Sequence, residues 1–471
     1  MNDPSPSAHP SGWMKSLFWL AFAVASFHLA YTSIHFPAAG LFIFGYALGL
    51  VRLADQPTVR RAFYFGLVAG YLCAAPQLYF LWNIFGAVAI VLWAVIAFWI
   101  GFFTALVCGC VRRWGRAKTA WLIPIVWTGL EYFRSELYYL RFSWLNIGYA
   151  LPAKLFNLSG VYGAGFLVFA AVALLLYWRT FALRRMAKIR MLALGVLALA
   201  TVLFLRVSGR PPAGWPPLSI AGIQMEFPLA DIVPRALDRV LKKNPDAQIL
   251  VLSEYTLDGP VPEGLKTWCR EHSRFLVVGG IDPITTNAYY NTAFVVGTNG
   301  GIVFQQAKSV PVQYFQDGRP AREQRVWDSP WGKIGICICY DLSYTRVTDR
   351  LVKEGAQLII VPTADHEDWG RHEHELHFRI APVRAAEYGL PIFRLASSGI
   401  SQAVAGNGQI LARTSFPGSL DILSAQLRLP PGGSLPFDRI LAPACTSVTA
   451  VVLAVLLFVA ARNRRAKKER R

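Results

Sequence analysis

Ile334-Gly335-Ile336-Cys337-Ile338-Cys339-Tyr340-Asp341 is an apolar run that ends in a thiol, an aromatic ring and a carboxylate. Its β-branched content and length predict a strand over Ile334–Cys339, and the pattern beyond it predicts a helix over Tyr344–Glu354. The run thus places a thiol where a strand gives way to a helix. Two residues apart on a strand, Cys337 and Cys339 would face the same way, and each also reads as a small buried hydrophobe.

Outward from this run the spacing repeats. Further strands are predicted over Ser219–Gln224, Gln248–Ser253, Phe275–Gly279, Ala293–Val296, Ile302–Gln306, Gln357–Val361 and Ile392–Ala396. Helices are predicted over Val233–Lys243, Pro262–Glu271 and Glu373–Glu387. Strands alternating with helices give an α/β layered domain, and about 230 residues suffice for one such core. Two of the strands end in charge: Val251-Leu252-Ser253-Glu254 in a carboxylate and Ala307-Lys308 in an ammonium.

These residue types suit acyl transfer. A thiol is only partly ionised at neutral pH, so Cys339 as a nucleophile needs a base, and Glu254 supplies one. Attack on a carbonyl creates an oxyanion, and Lys308 supplies the cation that stabilises it. Each also has a plainer reading: Glu254 as a helix cap, Lys308 as a solvated edge charge, Cys339 as core. The ordered set resembles the nitrilase superfamily, whose Glu, Lys and Cys stand at strand ends in that order. Tyr290-Asn291-Thr292-Ala293 and Arg384-Ala385-Ala386-Glu387-Tyr388-Gly389-Leu390-Pro391, followed by Arg394 and Gly399-Ile400-Ser401, extend the likeness. The resemblance implies an α-β-β-α sandwich with Glu254, Lys308 and Cys339 as the catalytic triad.

The rest of the chain is of another kind. A hydrophobic content of 54% with 16% charged residues is too apolar for a purely soluble protein. Apolar stretches occupy Ser16–Ile34, Phe36–Val51, Ala62–Leu81, Ala87–Val111, Thr119–Phe133, Gly160–Trp178, Met191–Leu205 and Ile440–Ala461. A spanning helix needs about 20 residues, so the second and fifth are short, and the fifth contains Pro124. About eight membrane helices are expected. The loops after the second, fourth and sixth stretches are basic, with Arg52, Arg60 and Arg61, then Arg112, Arg113, Arg116 and Lys118, then Arg179, Arg184, Arg185, Lys188 and Arg190. The tail from Arg462 to Arg471 is basic too, which places these segments in the cytoplasm and the α/β domain outside. Much of the formal net charge of +19 is explained this way, with no nucleic-acid recognition motif beside it. The first stretch lacks a small-residue cleavage site and is expected to be retained.

Three domains follow: residues 1–207 as a seven-helix bundle, 208–436 as the extracytoplasmic domain, and 437–471 as a last helix with its tail. A nitrilase-like domain between such a bundle and a final helix resembles the apolipoprotein N-acyltransferase family over nearly the whole chain. Glu131 and Arg134, Phe142-Ser143-Trp144 with Gly148-Tyr149, and Gly160-Val161-Tyr162-Gly163 resemble that family's outward loop, and Cys339-Tyr340-Asp341 its Cys-Tyr-Glu. His377, seven residues before Arg384, falls where the family has a histidine.

Other segments depart from the pattern. The glutamate expected after the lysine is missing, with Gln316 at its spacing and Asp317 the nearest acid. The lid reads Ala364-Asp365-His366-Glu367-Asp368-Trp369-Gly370, which leaves Trp369 as its aromatic. Tyr340, Asp341, Gln316, Trp369, His377 and Trp144 are the expected supporting or substrate-binding residues.

The resemblance implies fatty acyl transfer from a membrane phospholipid, through a Cys339 thioester, to the N-terminal amine of a lipidated protein. It implies a bacterial inner-membrane location with the catalytic domain on the periplasmic or outer face, and no cofactor. A membrane-anchored amidase, an acyltransferase with another acceptor, and an inactive scaffold are the alternatives. His366, His372, His374 and His377 form a His-rich tract without His-Glu-x-x-His spacing, so no metal is expected.

Overall fold

The computed structural model describes residues 11–32, 35–153, 156–177, 217–418 and 420–469. The seventh apolar stretch, Met191–Leu205, and nearly all of the proline-rich segment 211–217 lie outside them.

The helical part begins with α1 (Ser11–Tyr31), α2 (Phe42–Leu53), α3 (Val59–Gln77) and the short α4 (Phe80–Phe85). Helix α5 (Val88–Tyr132) carries both the fourth and the fifth apolar stretches. Gly115, at φ 78°, turns the chain back inside it, a conformation that glycine adopts without steric cost. Phe103 and Trp127, on either side of that turn, meet edge to face at 5.1 Å, so the two halves form a hairpin. Helix α6 (Phe156–Tyr177) follows. Among the described residues four helices, counting this hairpin once and including the C-terminal helix, are long and apolar enough to cross a membrane. They leave Phe18, Val91, Leu167 and Phe458 exposed, as a lipid-facing surface requires. The first two basic loops meet at one end of the bundle, where Arg116 binds Asp55 at 2.8 Å.

The α/β part contains two six-stranded sheets. One has the order β12-β1-β2-β3-β4-β5, from β1 (Leu218–Ile223), β2 (Ile249–Val251), β3 (Phe275–Thr285), β4 (Ala288–Val296), β5 (Ile302–Ala307) and β12 (Ile422–Leu427). The other has the order β11-β10-β9-β8-β7-β6, from β6 (Val326–Ser329), β7 (Gly332–Ile336), β8 (Leu358–Thr363), β9 (Ile392–Ala396), β10 (Gln402–Val404) and β11 (Ile410–Arg413). In each sheet three central strands run parallel.

Alternation along the strands builds the layers. Ile249 and Val251 point between the sheets, toward Ile336, Ile360 and Leu395, while Leu250 points outward. There α7 (Ile232–Lys243) and α8 (Glu263–His272) cover the first sheet with Val233, Leu237 and Trp268. On the second sheet α9 (Thr345–Lys353), α10 (Arg371–Phe378) and α11 (Ile380–Tyr388) form the outer layer, and Ile359, Leu351 and Ile380 share one apolar cluster with the helical bundle. The result is an α-β-β-α sandwich seated on the bundle, with the last helix, α12 (Asp438–Glu469), returning along α5.

The helix expected over Glu373–Glu387 is two helices. Pro382 has no N–H to give Phe378, and Gln402 Nε2 takes that carbonyl at 2.8 Å instead. The strand expected to reach Cys339 stops at Ile336.

A buried charge cluster ties the sandwich to the bundle. Gly160, at φ 67°, breaks α6 near its start. The next two amides donate to carboxylates: Val161 N to Glu387 Oε1 at 2.7 Å, and Tyr162 N to Asp438 Oδ2 at 2.9 Å. Arg384 pairs with Glu387 at 2.5 Å, and Arg439 bridges Asp349, Glu387 and Asp438.

Candidate active site

Cys339 adopts φ 50°, the left-handed region, at the start of a tight turn after β7. That turn separates the two thiols that strand spacing placed on one face. Cys337 packs into the cluster shared with the bundle, whereas Cys339 packs between the sheets and borders a cavity. Asp341 holds the turn: its carboxylate accepts from Ile338 N at 3.1 Å, Ser309 N at 3.0 Å and Val310 N at 2.7 Å. One side chain thus fastens the thiol turn to the loop that carries Lys308. Burial pushes the Asp341 carboxyl up to about 6, against the opposing pull of those three donors and of Lys308.

Lys308 is 1% exposed and lies between two carboxylates, Glu254 Oε1 at 2.8 Å and Asp317 Oδ2 at 2.7 Å. Asn291 Nδ2 donates to the same two acids, at 2.6 Å and 2.8 Å. Glu254 Oε2 accepts from Ala364 N at 2.8 Å, and Asp317 also accepts from Tyr255 OH at 2.8 Å and Val312 N at 2.7 Å. Burial would lower the Lys308 ammonium, but the two carboxylates outweigh it and hold the group well above its ordinary range. Burial likewise pushes Asp317 up, and the Lys308 charge with these donors brings it below the usual carboxylate range. Burial, then the Glu254 carboxylate, keep the Cys339 thiol well above its usual value, so it rests protonated.

Asp317 therefore stands where spacing had suggested Gln316. The Gln316 side chain is exposed, and its backbone carbonyl accepts from Tyr289 OH at 2.5 Å. The loop contains Tyr314 and Gly318 at φ 68° and 74°, turns that sequence spacing does not register. An acid directly before a glycine was the available signal.

The bundle reaches the same turn. Trp144 Nε1 donates to Ser343 Oγ at 2.9 Å, and Tyr340 OH donates to Arg141 O at 3.2 Å. Trp144 stacks on His377 with ring centroids 4.6 Å apart. His377 Nδ1 lies 2.9 Å from Asp365 Oδ1, and Asp365 also pairs with Arg394. Burial lowers the His377 imidazole to about 4 despite the Asp365 charge. Sequence reasoning quoted Asn291, Asp365 and Glu373 but gave them no role. The structure brings Asp365 and His377 within 4.8 Å of Cys339 Sγ and of one another. That spacing would admit a metal ion by proximity, but both Asp365 oxygens are already engaged, by His377 and Arg394.

A cavity of about 130 Å³ opens on Cys339. Leu81, Ile84, Leu92, Val95 and Ile96 line it from the bundle, and Phe315, Trp369, Glu373 and His377 from the sandwich. A buried thiol, an ion-paired lysine and a carboxylate meet at strand ends and face an apolar chamber, an arrangement chemically suited to attack on a carbonyl carbon.

Residues 213–436 match the carbon-nitrogen hydrolase family, which gives the class of the sandwich. Residues 16–174 match the apolipoprotein N-acyltransferase N-terminal domain. An apolipoprotein N-acyltransferase from Geobacter metallireducens is 26% identical over 458 residues, covering 84% of this chain and 87% of that protein. One from Bdellovibrio bacteriovorus is 24% identical over 216 residues, covering 37% of this chain and 39% of that protein. The solved structure of an amidase from Nesterenkonia sp. AN1 is similar with a TM-score of 0.40 and 21% identity, over 48% of this chain and 94% of that one. The chain belongs to the apolipoprotein N-acyltransferase family.

Proposed function

We propose that the protein transfers a fatty acyl chain from a membrane phospholipid to the N-terminal amine of a lipid-anchored protein, through a thioester on Cys339. The observation that carries this reading is the cavity: the bundle side of a thiol site is built from Leu81, Ile84, Leu92, Val95 and Ile96, a wall suited to an alkyl chain. The family's relatives act on apolipoproteins by name, which fits the same acceptor.

In this reading Glu254 takes the thiol proton, and Sγ bonds to the ester carbonyl carbon. Two of the three Lys308 N–H donors are engaged, which leaves one for the oxyanion. Collapse breaks the carbon-oxygen bond, and the departing alkoxide takes the proton from Glu254. The amine then attacks the thioester, the carbon-sulfur bond breaks, and the thiolate is reprotonated. Tyr340, Asp341 and Trp144 hold the turn, and Trp369 and His377 wall the chamber. Residues 1–207, 208–436 and 437–471 serve as bundle, catalytic domain and final helix. The sandwich stands outside the inner membrane, a reading supported by its place at the bundle end away from the first two basic loops, where Asn83, beyond α3, meets Trp369.

Intact-protein mass spectrometry tests this. Protein in lipid containing a labelled phospholipid should gain one acyl mass, which Cys339→Ala abolishes and Cys337→Ala retains. No acyl adduct, with fast turnover of a small amide, would select the amidase reading.

A further inference from the structure

The transfer reading leaves a proton unassigned. At neutral pH the acceptor amine is an ammonium with three N–H bonds, and the amide product keeps one. Two protons must leave. One restores the Cys339 thiol. Glu254 can cycle that one, but it already accepts from Lys308, Asn291 and Ala364 N. The second proton needs another base.

The chamber contains one. Glu373 is 1% exposed and lines the cavity, yet neither carboxylate oxygen accepts a hydrogen bond among the described residues. His377, one helical turn further along α10, lines the same wall, and its Nε2 also lacks a hydrogen bond. Buried polar atoms are almost always paired, and an unpaired one that lines a cavity calls for an explanation such as a catalytic role or a bound partner. Three unsatisfied acceptor positions beside a thioester match the three donors of an ammonium.

We infer that Glu373, backed by His377, is the pocket for the acceptor's α-ammonium and the base that removes its surplus proton. This rests on the acyl-transfer reading above. The ammonium enters with loss of the Glu373 proton to solvent and pairs with the carboxylate. Glu373 takes one proton back, and the freed lone pair forms the carbon-nitrogen bond. The second N–H proton leaves the tetrahedral adduct for Glu254 and passes to the departing thiolate.

The groups facing this pair set its behaviour. Asp365 comes from the loop after β8, Arg394 from β9, His374 from α10 itself and Cys339 from the turn after β7, while Trp144 from the bundle is uncharged. Burial, then the Asp365 charge, lift the Glu373 carboxyl well above the ordinary carboxylate range and so toward that of an amine. His377 Nδ1 lies 2.9 Å from both Asp365 Oδ1 and Arg394 Nη2; with the proton held on Nδ1 by Asp365, Nε2 is an acceptor.

The test is single-turnover kinetics in lipid. Protein charged with labelled phospholipid is mixed with a diacylglyceryl peptide amine, or with hydroxylamine, which is uncharged at neutral pH. For Glu373→Gln, amide formation with the peptide should fall about a hundredfold at pH 7, while thioester formation falls less than about tenfold. The deficit should shrink about tenfold per pH unit, up to the amine's own pKa near ~8. With hydroxylamine it should be within about threefold. His377→Asn should show the same pattern more weakly, and thermal unfolding of both variants checks that they fold. A deficit equal for the two nucleophiles, or insensitive to pH, would overturn the assignment and leave the transfer reading standing. No thioester in the unmodified protein would overturn both.

Discussion

Two buried acid clusters face Cys339, and they differ in how completely they are satisfied. Around Lys308, both oxygens of Glu254 and of Asp317 have donors, from a cation, an amide side chain, a phenol and backbone N–H groups. Around His377, Asp365 is engaged by its neighbours, but Glu373 accepts no hydrogen bond among the described residues. A completed network fixes geometry before the substrate arrives, because every rotamer is held from several sides. An incomplete one costs stability in the resting protein and recovers it on binding. On the proposed mechanism, the contrast divides the site into a part that performs attack and a part that admits an acceptor.

The largest way to break the contrast is Lys308→Met. Glu254 and Asp317 would then face each other without a cation, and one would take up a proton. Thioester formation should fall by about 10²–10³, with no recovery at higher pH, and stability should fall by about 3–5 kcal/mol, read from thermal unfolding and acyl-adduct kinetics. Asp317→Asn should be milder, since Glu254 still pairs with Lys308. Because Asp317 titrates below its unfolded value near ~3.9, its stabilisation is present above that pH and is lost as pH falls through the lower folded value. A melting series through the acid range should therefore drop more steeply for the unmodified protein than for Asp317→Asn. The smallest effect has the opposite sign. Glu373→Leu removes a buried carboxyl with no hydrogen bond, so the melting temperature should rise by a few degrees while amide formation is lost. A clear fall in melting temperature would show that Glu373 is structurally paired and erase the contrast.

What sequence could reveal follows from which interactions are local. All eight strands read from apolar runs exist, because Ile249–Val251 and Leu358–Thr363 are central strands buried on both sides. The four missed strands, β6, β10, β11 and β12, are short or half-exposed and exist by pairing; Ile410–Arg413 has no buried residue at all. Glu254, Lys308 and Cys339 were legible as strand-end charges and a strand-end thiol. The left-handed turn at Cys339 was not, since φ 50° is imposed by Asp341 and its three amides, two of them on a loop distant in sequence. The His-rich tract was set aside for lack of metal spacing. Its informative pair was instead Glu373 and His377, four apart and so on one helical face.

The carboxylates that cap the break in α6 have a consequence for synthesis of the chain. Glu387 belongs to the sandwich and binds Val161 N, whereas Asp438, which binds Tyr162 N, and Arg439, which pairs with both acids, open the final helix. A nascent chain that stops before residue 438 holds Glu387 and Asp349 without Arg439, and leaves the Tyr162 amide without its acceptor. Interrupting a buried ionic cluster costs about 3–5 kcal/mol, a large share of what holds a domain folded. A chain cut before residue 438 should thus lose stability at a point far from the thiol, before any lipid is bound.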